Sequence, residues 1–220
     1  MVSMDCETSG LDSSAVVHVT SLYDGRAGTA VSFAESTHGP EFVGAALEAC
    51  AAQRDVVTFN GCAYDYKVLA RNAPDQAARK TAARLALTTR DILLNFACDT
   101  GYFSSLASFA SATLGESKTS DGAAAVDDWN AGRHAEVTAY CEHDAKLTLQ
   151  LYTYACKWGR LERLTKAGRK AVWACSHVPL HPTTDALQAY TASPPDTAWM
   201  QGGGPDVAAL ADWAVDILTE

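Results

Sequence analysis

The 220-residue sequence predicts an α/β domain: a mixed sheet of about five strands with helices on both faces, then a C-terminal hairpin and helix. Three observations carry that reading. Short Val- and Thr-rich runs joined by tight turns open the chain, which implies an antiparallel meander. Strand-sized and helix-sized segments then alternate, which implies parallel strands with covering helices. A long helical pattern and a hairpin signal close the core.

The elements follow in order. Met1-Val2-Ser3-Met4 is a short apolar run that reads as the first strand, with Asp5 and Glu7 at its end. Thr8-Ser9-Gly10-Leu11-Asp12 reads as a turn, residues 15–23 as a second strand stopped by Asp24-Gly25, and residues 29–33 as the returning third. Residues 41–52 carry Phe42, Ala45, Ala46 and Ala49 at helical spacing. Residues 55–59 form a short apolar strand, 63–72 a helix and 85–89 a further strand candidate. Residues 105–114 read as a helix stopped by Gly115, 116–125 as a flexible loop, and 135–155 as a long helix ending before Gly159. Arg160 to Leu164 and Lys170 to Trp173 flank Lys166-Ala167-Gly168, a hairpin signal. Pro179, Pro182, Pro194, Pro195 and Gly202-Gly203-Gly204-Pro205 mark an irregular stretch. Residues 206–218 read as a final amphipathic helix with Val207, Leu210, Trp213 and Ile217 on one side. No internal repeat is visible. Residues 1–158 read as the core domain and 159–220 as an elaboration packed on it.

Composition bounds the function. Hydrophobic residues make up 48% and charged residues 20%, the balance of an ordinary soluble globular protein. No apolar run approaches the roughly 20 residues that span a bilayer, so no membrane partner is expected. Asp5 and Glu7 fall where a secretory leader would be uncharged, so the expected location is intracellular, cytoplasmic or nuclear. The seven cysteines are scattered, odd in number and free of any Cys-x-x-Cys pair. They read as free thiols in a reducing compartment, mostly buried as small hydrophobes, and not as a zinc site. A net charge of −9 argues against coating nucleic acid through charge alone. It leaves room for an enzyme that gathers carboxylates around metal ions and grips few phosphates. Residues 157–170 hold six bases against one acid, Glu162, and read as a solvated hairpin face or a phosphate-contacting patch.

Three segments carry candidate chemistry. On a strand, Asp5 and Glu7 project from one face about 6–7 Å apart, an arrangement that suits a hard divalent cation between them. Asp65 shares a helix face with Val68 and Leu69, where a carboxylate needs a partner or a metal unless it sits at the helix start. In the long helix the inward stripe is Val137, Tyr140, Cys141, Asp144, Leu147 and Leu151. Asp144 is too far inside that helix to cap it, which leaves a metal ligand or a buried salt bridge. Other polar residues have structural readings: Asp91 opens a helix-like run, Asp127-Asp128 caps the segment leading to Trp129, His143 faces solvent and His18 packs within its strand.

Together these segments resemble the DEDD exonucleases of the ribonuclease H-like superfamily. Asp5-Cys6-Glu7-Thr8-Ser9-Gly10-Leu11 looks like the first exonuclease motif, Asn60-Gly61-Cys62-Ala63-Tyr64-Asp65 the second, and Tyr140-Cys141-Glu142-His143-Asp144 the third. A tyrosine four residues before the last aspartate is the mark of the tyrosine subtype. The likeness covers residues 1 to about 160 and is nearest to proofreading domains of family B DNA polymerases and to stand-alone or helicase-associated predicted exonucleases. It implies a ribonuclease H-like fold and 3′-5′ hydrolysis of nucleic acid, DNA favoured, to nucleoside monophosphates by two divalent ions, Mg²⁺ or Mn²⁺. By that resemblance Asp5, Glu7 and Asp144 hold one ion, Asp5 bridges to a second that Asp65 supports through water, and Tyr140 orients the attacking water. Thr8, Asn60, Tyr64, Ser105 and Leu106 match positions that hold a single-stranded 3′ end, and Lys118 an auxiliary lysine near the scissile phosphate. Each also has a plainer reading: Thr8 and Asn60 as turn residues, Leu106 as core, Lys118 as a loop charge. A polymerase or helicase is a compatible partner. An RNA-trimming exonuclease of the same fold and a catalytically silent binding module are the alternatives.

Overall fold

The chain opens with three antiparallel strands, β1 (Val2–Thr8), β2 (Val17–Asp24) and β3 (Thr29–Ala34). In the computed structural model, which describes residues 1–116, 122–200 and 204–220, two short parallel strands complete the sheet. These are β4 (Val56–Thr58) and β5 (Arg90–Asp91), and the spatial order is β3-β2-β1-β4-β5. β1 is therefore central, antiparallel to β2 and parallel to β4. It is also longer than its apolar run. Pairing with β2 continues from Val2 opposite Asp24 to Glu7 opposite Val19, so Asp5 and Glu7 lie inside the strand. A hydrogen-bonded ladder joins backbone groups whatever the side chains, so counting apolar residues ends the strand too early.

Alternation along β1 divides the core. Val2, Met4 and Cys6 face a cluster with α2 (Phe42–Ala51), α3 (Asp65–Arg71), α4 (Gln76–Thr88) and α10 (Asp212–Thr219). A single helical turn, α1 (Glu35–His38), precedes α2. Ser3 faces the other side, where its hydroxyl donates to the Ala145 carbonyl of α8 (His134–Trp158) at 2.5 Å. Beneath α8 a second cluster joins Val57 of β4 with α5 (Ile92–Thr100), α6 (Leu106–Phe109) and the hairpin of β6 (Arg160–Leu164) and β7 (Lys170–Ala174). Helices thus cover both faces.

Several expected elements differ. Residues 85–89 are not a strand: they are the end of α4, continued into the two-residue β5. Asp75 caps α4, accepting from Ala78 N at 2.8 Å, and Pro74-Asp75 was the sequence signal for that start. Within that helix Thr88 Oγ1 donates back to Arg84 O. The expected 116–125 loop is shorter, because α7 runs Gly122–Asn130; residues 117–121 lie outside the described residues. Asp127 and Asp128 accordingly sit inside α7, not ahead of it, and Asp128 pairs with Arg133. The proline-rich stretch contains α9 (Thr183–Ala192), whose N-cap is Pro182, so the prolines bound a helix instead of excluding one. The final helix starts as a short 3₁₀ turn, Ala208–Ala211, before α10.

β6 has no strand on its outer side, yet its backbone is paired. Thr113 Oγ1 donates to Glu162 O and accepts from Glu162 N, at 2.7 and 2.8 Å. Ser108 Oγ does the same for Leu164, at 2.8 and 2.9 Å. Two hydroxyls five residues apart stand in for a neighbouring strand, which removes an open edge.

Five of the seven thiols are buried in these cores, while Cys156 is exposed and Cys175 half-buried. Burial pushes Cys50 and Cys62 up to about 12, and Cys6 and Cys141 well above the ordinary thiol range. Below the free-thiol range all these groups are protonated in both states and stability is complete. Above about pH 8.5 the unfolded chain loses protons that the fold retains, so each of these four costs up to about 1.4 kcal/mol per pH unit. The urea midpoint should hold to about pH 8 and fall steadily above pH 9; a flat profile to pH 10.5 would contradict this account.

Candidate active site

Three acids meet across one face of the sheet. Asp5 and Glu7 lie two apart on β1 and so point the same way as Ser3, toward α8. Asp144 lies beside Ala145, the residue that Ser3 binds, on the inward stripe of α8 and is 2% exposed. One carboxylate oxygen from each of Asp5, Glu7 and Asp144 comes within 4.8 Å of one from each of the others. Tyr140 precedes Asp144 by one helical turn and is also buried. It lines a cavity of about 490 Å³ with Val137, Asp128, Glu136 and His143. His143 is therefore half-buried in that wall, with Nε2 shielded, and does not face open solvent as its place off the stripe suggested.

Asp65 reaches the same strand from the opposite edge. Beyond Ser3 the pairing of β1 with β4 ends, so Cys6 N–H has no strand to donate to. Asp65 Oδ1 takes that hydrogen at 3.1 Å. The carboxylate is thus fastened to the backbone between Asp5 and Glu7, at the first residue of α3, but it is not one of the three clustered acids.

The turn from β4 into α3 is held by a residue that the sequence assigned only to a helix start. Asp91 caps α5 as expected, accepting from Leu94 N at 3.0 Å. Its fully buried carboxylate also accepts from Asn60 N and Cys62 N at 3.0 Å and from Thr58 Oγ1 at 3.1 Å. Asn60 takes the left-handed conformation at φ 71°, the one non-glycine with positive φ among the described residues. Gly61 follows because a Cβ there would lie 2.5 Å from Thr58 Cβ. No local pattern could reveal this clamp, since three of the four donors come about thirty residues earlier in the chain.

The remaining candidates fall as follows. Thr8 Oγ1 and Tyr64 Oη lie 2.6 Å apart, and each reaches Gly10 O, at 2.8 and 2.5 Å. They tie the turn after β1 to the start of α3. Ser105 is exposed and caps α6, accepting from Ser108 N at 3.2 Å. Leu106 is buried with Phe109 and Leu161 in the core under α8. Lys118 lies outside the described residues.

The field around the acids is negative. Cys141, whose Sγ donates to Asp5 O at 3.3 Å, is raised first by burial and then by Asp5 and Glu7. Cys6 is raised by burial and then by Asp65. Burial, and behind it Asp65 and Glu7, raise Tyr64 as well. The three clustered donors are carboxylate oxygens, a set suited to a hard divalent cation. Asp5, Glu7 and Asp144 would hold such a cation through these carboxylate oxygens.

Next to Glu7 the β1–β2 register slips, and His18 is the extra residue of that bulge. The bulge aims its ring onto Trp129 of α7, 4.5 Å away and nearly parallel, and Trp129 stacks in turn on His134. Burial, then the neighbouring His134, lower the His18 pKa and favour the neutral ring that this packing needs.

Sequence comparison decides the family. A model of the RNase H superfamily matches residues 2–156, the whole sheet and nearly all of α8. The chain belongs to the RNase H superfamily. No curated protein matches it. As an RNase H superfamily member with an Asp5, Glu7 and Asp144 cluster that could bind metal, it is suited to nuclease chemistry on nucleic acid with divalent cations. Among the described residues no helix is long and apolar enough to cross a membrane.

Two measurements follow. Asp91→Ala leaves three backbone N–H groups, two of them buried, without an acceptor and should cost about 3 kcal/mol or more in urea unfolding, with Asp91→Asn in between; wild-type stability in both would refute the clamp. Mn²⁺ at a hundredfold excess over its Kd should stabilise the fold by about 2.7 kcal/mol, reversed by EDTA and lost in Asp144→Asn. Equal melting temperatures with Mn²⁺ and with EDTA would speak against a metal centre.

Proposed function

We propose that this protein is a divalent-metal-dependent 3′-5′ exonuclease of the tyrosine DEDD type, acting on single-stranded nucleic acid ends with DNA favoured. The observation that carries the reading is the approach of the Asp5, Glu7 and Asp144 carboxylates to within 4.8 Å in an RNase H superfamily chain. Residues 1–158 would be the catalytic domain, with 159–220 as its elaboration.

The chemistry assigned to each residue follows from its position. Asp5, Glu7 and Asp144 would hold one Mg²⁺ or Mn²⁺; Asp5 would share a second, with Asp65 reaching it through water. When bound, the two ions supply the positive charge that stabilises the attacking and leaving oxygens of an in-line displacement. Water attacks the terminal phosphorus, the bond from phosphorus to the 3′ oxygen breaks, and the proton balance closes on the new 3′ hydroxyl. A nucleoside 5′-monophosphate leaves. Tyr140, rigid in its buried wall one turn from Asp144, orients that water.

The substrate-facing assignment is Asn60, Tyr64 and Thr8 at the two turns flanking the acids, Ser105 at the exposed start of α6, and Lys118 near the scissile phosphate. Leu106 acts by anchoring the Ser105 segment from the core. The DNA preference rests on the polymerase-like motifs alone.

The test uses strands labelled at the 5′ end, in DNA and RNA versions, with Mn²⁺. A ladder shortening from the 3′ end is expected, with Asp5→Ala and Asp144→Asn slower by more than about a hundredfold and Tyr140→Phe by about ten- to a hundredfold. Identical products from wild type and Asp5→Ala would remove the assignment. Faster loss of RNA than DNA would convert it to an RNA-trimming enzyme.

A further inference from the structure

A large groove is walled partly by residues that the superfamily match does not reach. About 1000 Å³ in volume, it is walled by the segment from Tyr102 to Ser108, by the hairpin residues Arg163 to Lys166, and by Trp199 with Met200. Arg163, Lys166 and Trp199 all fall beyond residue 156. The Ser108 bonds to Leu164 pin the first two walls together, so the groove has a fixed width.

Its lining combines two features. Phe103 is 45% exposed and Trp199 66% exposed, large aromatic surfaces open at the same groove. Arg163 lines the same groove, its guanidinium 4.7 Å from the Tyr102 ring centre and bonded to the Tyr102 hydroxyl. Stacking holds the fork flat while leaving it fully charged. Lys166 is exposed at the hairpin turn. Among the described residues neither Arg163 nor Lys166 joins an ion pair, whereas Lys170 of the same hairpin is paired with Glu162. Unpaired cations beside open aromatic faces, in a chain of net charge −9, complement a polyanion that also carries flat rings.

We infer that this groove extends the nucleic-acid contact beyond Ser105: a single-stranded segment stacks its bases on Phe103 and Trp199 and sets its phosphates against Arg163 and Lys166. The ligand class rests on the nuclease reading; the place and the contacts rest on the groove. Its volume stands at the upper end for single small-molecule sites, and a strand needs room for more than one base.

The experiment measures anisotropy of a 5′-labelled twelve-nucleotide oligothymidylate in EDTA, where no hydrolysis interferes, using the full chain. Trp199→Ala and Phe103→Ala are surface changes and should each weaken binding about tenfold or more. Lys166→Gln should lower the slope of log affinity against log salt by about 0.7. Polyglutamate should compete poorly. Wild-type affinity in the Trp199 and Phe103 variants, no strand binding by the wild type, or equal competition by polyglutamate would each overturn the groove. The two readings fail separately: a strand that binds through Trp199 but is never shortened with Mn²⁺ removes only the nuclease, and a strand shortened at an unchanged rate and affinity by all the groove variants removes only the groove.

Discussion

The relation of α8 to β1 governs the rest of the molecule. Ser3 is bonded to Ala145, which fixes the strand and the helix in one mutual register. Given that register, the two-residue period of a strand carries Asp5 and Glu7 to the same face as Ser3, and Asp144 stands next to Ala145 to meet them. The opposite face of β1 is occupied by Val2, Met4 and Cys6 in the main core. A slip of one residue would put the acids into that core and the apolar side chains against α8, so apolar packing defends the position of the charges.

The second constraint is the short extent of β4. Because its pairing with β1 stops at Ser3, the neighbouring backbone becomes a place where Asp65 can bind. The chain must then turn sharply into α3, and this turn depends on Asn60 in the left-handed region, on Gly61 for lack of a side chain, and on Asp91 to collect the backbone donors. A rigid frame on both sides of the acids follows. Preorganisation of this kind matters where charge must be held at fixed distance, since a shift of about 1 Å costs a catalytic site heavily.

The C-terminal third has a different logic. It does not extend the sheet; its hairpin is a separate two-stranded unit that borrows hydroxyls from Thr113 and Ser108 as edge partners. α9 and α10 bury Ala186, Ala214 and Ile217 against the rest, and Trp213 Nε1 donates to Cys62 O at 3.0 Å beside the β4–α3 turn. The elaboration thereby braces the β4–α3 turn beside the acids, and its Arg163, Lys166 and Trp199 add a basic, aromatic surface beyond the matched residues.

Much of this was legible in the residues. The meander, the long helix with its inward stripe of Val137, Tyr140, Cys141, Asp144, Leu147 and Leu151, and the hairpin all follow from local periodicity, which senses which side of an element is buried. The pairing of Asp5 with Glu7 follows from the same rule. Local pattern failed where backbone hydrogen bonding or distant partners decide the outcome: the full length of β1, α4 in place of a strand at residues 85–89, α9 among prolines, and His143 in a cavity wall. The roles of Asp91 and Arg163 were closed to it for the same reason. Periodicity alone determined which side chains share a face, because that depends on the geometry of one element. Only the tertiary structure decided which faces meet, because that depends on burial and hydrogen bonding between segments far apart in the chain.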